Sequence, residues 1–103
     1  MLVAIIAISV SVFAEYAQCT IAGSDGATAT VSLGYYNQEN GTVTVTFSND
    51  SDKPATICCT IDDGSGNVKG SGCAMVPPRS EVTKEVPVSG KPGKIKVSSA
   101  RCQ

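Results

Sequence analysis

The 103-residue chain contains no histidine and no tryptophan. Without imidazole there can be no Ser-His or Cys-His nucleophile pair and no histidine-ligated metal centre, so no thiol has a ready-made base. Charge is also scarce: 8 Lys and Arg stand against 9 Asp and Glu, a formal net charge of −1, and no Lys or Arg precedes Lys53. That balance shows too little charge asymmetry to suggest nucleic acid or an anionic membrane surface as partner. Asp62 and Asp63 are adjacent and would point to opposite sides of a strand, whereas paired-carboxylate catalysis needs both groups on one substrate. Asp63, Ser65 and Asn67 alternate oxygens as calcium loops do, but the glycine such a loop needs is missing and Ala74 stands where its bidentate Glu belongs. An ordinary glycine-rich turn accounts for the stretch. The expectation is a non-enzyme with no cofactor, no metal and no nucleic-acid partner.

An apolar run, by contrast, opens the chain: MLVAIIAISVSVFAEYAQ. As a helix, residues 2 to 17 would measure roughly 25 Å, slightly short of a bilayer core of about 30 Å. The run has two readings. With Val12 and Ala14 as small residues before a cut at Glu15, residues 1–14 fit a secretory signal peptide, although the usual positively charged start is absent. If the run is kept, residues 1–18 form a hydrophobic helix ahead of a β domain at 19–103.

From Ala27 onward the apolar period becomes two. In GTVTVTFS, Val43, Val45 and Phe47 share one face and Thr42, Thr44 and Thr46 the other, the pattern of a half-buried antiparallel strand. The alternation recurs in Ala29, Val31, Leu33 and Tyr35, in Ile57, Cys59 and Ile61, in Val82, Val86 and Val88, and in Ile95 and Val97. Turn clusters NQENG, NDSDKP, DDGSGN, VPPRS and SGKPG separate these runs. The fold class expected is mainly β: an N-terminal hydrophobic α-helix, then a small antiparallel sandwich of about six short strands. No internal repeat or heptad pattern interrupts it.

Five cysteines suit a domain too small to bury a large core, and they favour an oxidising compartment. Centring the DDGSGN hairpin between Ser65 and Gly66 puts Cys58 opposite Cys73, both on the polar parity, where a cross-strand disulfide can form. Cys59 points the other way with Ile57 and Ile61, as a buried thiol would. Cys19 and Cys102 are further disulfide candidates, within one domain or between subunits, and the odd count leaves at least one cysteine outside such a bond. Asn40-Gly41-Thr42 and Asn49-Asp50-Ser51 fit the N-linked glycosylation acceptor pattern.

The stretch VTVTFSNDSDKPATICCTIDDGSGNV, followed by MVPPRSEVTKEVPVSGKPGKIKVSS, resembles the immunoglobulin-like adhesion modules of prokaryotic and especially archaeal cell surfaces over roughly residues 40 to 99. An apolar helix leading directly into such a module resembles an archaeal type IV pilin or a related filament subunit. The resemblance implies a helix that lies in the membrane before assembly and then bundles in the core of a helical homopolymer. Leu2, Val3, Ile5, Ile6, Ile8, Val10, Val12 and Phe13 would carry polymerisation. Ile5 stands where bacterial pilins usually carry Glu, a departure that counts against the bacterial branch and not the archaeal one. The implied function is a structural subunit of an extracellular filament for surface adhesion. The rival is a secreted monomeric immunoglobulin-like binding domain with a cleaved signal peptide at 1–14.

Overall fold

The computed structural model describes residues 15–103. They form seven strands: β1 (Tyr16–Thr20), β2 (Thr28–Asn37), β3 (Thr42–Asn49), β4 (Ala55–Asp62), β5 (Val68–Val76), β6 (Ser80–Pro87) and β7 (Lys94–Cys102). Two antiparallel sheets result, one in the order β1-β2-β3-β6 and the other β5-β4-β7. All five turn clusters read from the sequence fall between strands.

Strand β3 shows why the chain folds this way. Its residues alternate half-buried and buried without a break, so Val43, Val45 and Phe47 enter the space between the sheets. Ile57, Cys59 and Ile61 do the same from β4 and meet them. Burying each large side chain contributes about 1.5–3 kcal/mol, and reversing the parity of either strand would expose the whole set. The chain changes sheet three times, between β3 and β4, between β5 and β6, and between β6 and β7. Because β3 pairs with β6 while β4 pairs with β7, these two strand pairs interlock across the sheets.

The sheet edges are closed individually. On one side Ser89 N donates to Lys69 O at 2.8 Å, tying the segment after β6 to β5. A Cβ on Gly70 of β5 would run into the main-chain carbonyl of Pro87, so only glycine permits that approach. Lys84 stands on the inward parity of β6 and donates from Nζ to Cys73 O at 2.7 Å, an inward-pointing charge that deters edge pairing. On the other side Ala22 N donates to Ala100 O at 2.9 Å and Cys102 N to Ala22 O at 2.8 Å.

Three details differ from the sequence reading. Tyr16, Ala17 and Gln18, assigned above to the helix, lie in β1, which pairs with β2 from Tyr16↔Ser32 to Thr20↔Thr28. Ala17 and Cys19 face inward there, so the period of two already governs at Tyr16 and the sandwich begins before residue 19. Tyr35 does not continue the inward face of Leu33. The register shifts between Leu33 and Tyr36, Tyr36 pairs with Val43, and Tyr35 is left 71% exposed. Finally, β1 raises the strand count to seven.

Candidate functional site

The clearest covalent feature is on the outer surface of the three-stranded sheet. Cys58 pairs with Cys73 in the β4–β5 register and the two form a disulfide, with Cα atoms 4.0 Å apart. That spacing is nearer the close, non-hydrogen-bonded type of antiparallel pair than the wide type. Cys59, one residue on, is buried and free. Burial raises its thiol above the ordinary value of 9.0, against a smaller lowering from the Gly72 backbone, so it is a poor nucleophile. Cys19 and Cys102 are half-buried free thiols. Cys102 sits beside Gly23 and 4.0 Å from Ser51 Oγ.

The two glycosylation candidates part company. Asn40 is exposed in the β2–β3 turn, where its N–H donates to Asn37 Oδ1 at 3.1 Å. Asn49 is 2% exposed on the inward face at the end of β3. Its Nδ2 donates to the carbonyls of Lys53, Val76 and Pro77 at 2.8, 3.0 and 3.1 Å, and its Oδ1 accepts from Ser51 N and Oγ at 2.9 and 2.7 Å. A glycan on Asn49 would need an amide that this fold has committed elsewhere.

Asp62 and Asp63 make turns. Gly64 N donates to Asp62 Oδ1 at 2.7 Å. Asp63 Oδ1 accepts from Ser65 N at 2.8 Å and Asn67 N at 3.3 Å, while Oδ2 accepts from Asn67 Nδ2 at 3.0 Å. The Asn67 side chain and then the Ser65 N–H hold the Asp63 carboxyl below its ordinary 3.8. Among the described residues no group of three or more His, Cys, Asp or Glu is placed to hold a metal ion.

A shallow polar depression of about 450 Å³ lies on the outer face of the four-stranded sheet. Gln18, Thr30, Ser48 and Glu81 cross its floor as one register row, and Arg79 and Asp50 stand at its rim. Arg79 has φ of 52° and donates from its N–H to Ser51 O at 3.0 Å. That left-handed conformation costs about 1–2 kcal/mol for a residue with a Cβ. Within it Ser48 Oγ donates to Glu81 Oε2 at 3.4 Å on an open, exposed surface.

Seen from outside, both sheets present hydroxyls. The four-stranded face carries Thr28, Thr30, Ser32, Thr44, Thr46 and Ser48, with Thr46 and Thr83 hydroxyls 3.0 Å apart. The residues expected from the sequence to carry polymerisation, Leu2, Val3, Ile5, Ile6, Ile8, Val10, Val12 and Phe13, lie outside the described residues. What the fold and its surfaces define is a small disulfide-bearing β domain with broad polar faces. No family model, no curated protein and no solved structure matches the chain.

Proposed function

We propose that the chain is an exported extracellular interaction module, an immunoglobulin-like sandwich whose mature form starts near Glu15. The observation that carries this reading is the start of β1 at Tyr16, immediately after the candidate cut between Ala14 and Glu15. The domain already closes its own core from Ile21 to Ala100. The Cys58–Cys73 bond suits an oxidising compartment, and the interlocked pairing of β3 with β6 and β4 with β7 suits the immunoglobulin-like class. Such a module acts through its surface, and Asn40 is its candidate glycan acceptor.

A second reading, the archaeal type IV pilus-like filament subunit that adheres to surfaces, draws on one observation. Residues 2–14 carry no charge and, Ser9 and Ser11 apart, are apolar throughout, a segment that a small sandwich cannot bury alone. Its helix is shorter than the sequence alone implied, since Tyr16 and Ala17 belong to β1; residues 2–14 as a helix would reach about 20 Å, two thirds of a bilayer core.

Intact mass of the protein from the cell exterior, with and without deglycosylation, decides between them. A chain starting near Glu15 supports the module. A chain retaining the apolar run overturns it in favour of the filament, in which Ile6→Asp would block assembly. A glycan mass lost on Asn40→Gln and kept on Asn49→Gln would place the modification.

A further inference from the structure

The two outer faces of the sandwich carry opposite charge. On the four-stranded sheet the strand register aligns Gln18, Thr30, Ser48 and Glu81 in one row, Tyr16, Ser32, Thr46 and Thr83 in the next, and Thr44 beside Glu85 in a third. Its acidic residues Glu81 and Glu85 are both exposed, Lys84 between them is turned to the inward parity, and Arg79 stands at the corner with Asp50. On the three-stranded sheet the rows are Met75, Thr56 and Arg101, then Cys73, Cys58 and Ser99, then Ser71, Thr60 and Lys96, with Asp62 beside Lys94 at the end. Lys94, Lys96 and Arg101 are exposed there and only Asp62 opposes them. Large apolar side chains are exposed on both sheets, Tyr16 and Tyr35 on the four-stranded one and Val68 and Met75 on the three-stranded one.

We infer that these faces are docking surfaces for a second copy of this chain, the acidic hydroxyl face of one molecule seated on the basic face of the next. Like faces repel, so a symmetric pairing of either face with itself is disfavoured. Unlike faces attract, and both are rich in short hydroxyls that let two sheets approach closely. Because the two surfaces are the opposite sides of one sandwich, the contact is head-to-tail, and each added copy leaves a fresh face at either end. The attraction between a few exposed charges is modest and strongly screened, so the stack is weak and depends on salt. It engages neither the residues before Glu15 nor a pilus-like core, so it holds whichever form of the N-terminus is mature.

The test uses sedimentation equilibrium of the exported chain as recovered, at low and high salt. The wild type is expected to self-associate, with an association constant at least about tenfold weaker in high salt than in low salt. Two variants, Glu81→Lys/Glu85→Lys and Lys94→Glu/Lys96→Glu/Arg101→Glu, are each expected to be monomeric, one having two positive faces and the other two negative faces. Mixed in equal amounts they regain association, since every contact then joins opposite signs. Circular dichroism and an intact disulfide confirm the fold of each variant. A monomeric wild type at low salt, wild-type association by either variant alone, or a mixture that stays monomeric would each overturn the inference.

Discussion

The corner at Asn49 and the turn at Asp63 use the same local device and differ in everything around it. In each, a side-chain oxygen accepts from the N–H two residues on, Ser51 at 2.9 Å and Ser65 at 2.8 Å. Asn49 is buried, and its amide spans from the β3–β4 turn at Lys53 to the β5–β6 connection at Val76 and Pro77. Asp63 meets only Ser65 and Asn67 of its own turn. Local geometry is therefore no guide to energetic weight. A buried group that loses its partner keeps its desolvation cost, and an exposed one is handed to water.

Asn49→Ala should have the largest effect, since it strands three carbonyls and the Ser51 donors at the junction of two loops. The expected loss is about 2–4 kcal/mol in urea unfolding. A loss below about 1 kcal/mol would break the contrast. Asn49→Asp keeps the acceptor and forfeits the donor, so it should resemble Asn49→Ala. Ser51→Ala comes next, at about 1–2 kcal/mol, because its hydroxyl donates to Asn49 Oδ1 and also sits 2.8 Å from Lys53 O.

How far the sequence disclosed this contrast depends on which rule is applied. Composition and turn residues placed five of the six connections between the described strands, missing the one between β1 and β2, and the period of two gave the faces of β3 and β4. The Cys58–Cys73 pairing followed from counting outward from the hairpin turn. Asn49 was obscured because Asn-Asp-Ser reads as a surface acceptor. Yet the strict alternation Val43, Val45, Phe47 extends to Asn49 and puts it inside, a signal that outranks the tripeptide. Strand β1 was missed because Tyr16 to Thr20 continues an apolar run, which hid its short alternation. The Tyr35 error has another origin: a bulge changes parity without marking the sequence, and Gly34, where a Cβ would strike Thr44, is its only trace. The opposed charges of the outer faces needed the pairing of distant strands, Glu81 with Ser48 and Lys96 with Thr60, which no local pattern supplies.

Cys58 and Cys59 repeat the contrast within one dipeptide and allow a pH measurement. The Cys59 thiol is raised by burial, so the folded state holds its proton where the unfolded chain has released it. Its contribution is complete below the ordinary value of 9.0 and is lost as pH rises from there through the folded value. Wild type should lose stability above that point more steeply than Cys59→Ala, by up to about 1.4 kcal/mol per pH unit. Parallel curves for the two proteins would mean that water reaches Cys59 in the folded state.

The smallest effect is expected at the exposed turn, where Asn67→Ala should leave the unfolding midpoint at neutral pH unchanged within error. A decline comparable to that of Ser51→Ala would show that exposure does not discount the Asp63 turn. The more sensitive readout is the Asp63 carboxyl itself, followed by NMR. Its hydrogen bonds favour the ionised form, so its folded value lies below 3.8; the stabilisation is present above 3.8 and disappears as pH falls through the folded value. Removing the Asn67 side chain takes away the largest cause of that shift and should move the titration back toward 3.8 while the rest of the spectrum holds still. An unmoved titration would assign the shift to the Ser65 N–H, and the turn would then be held by its backbone alone.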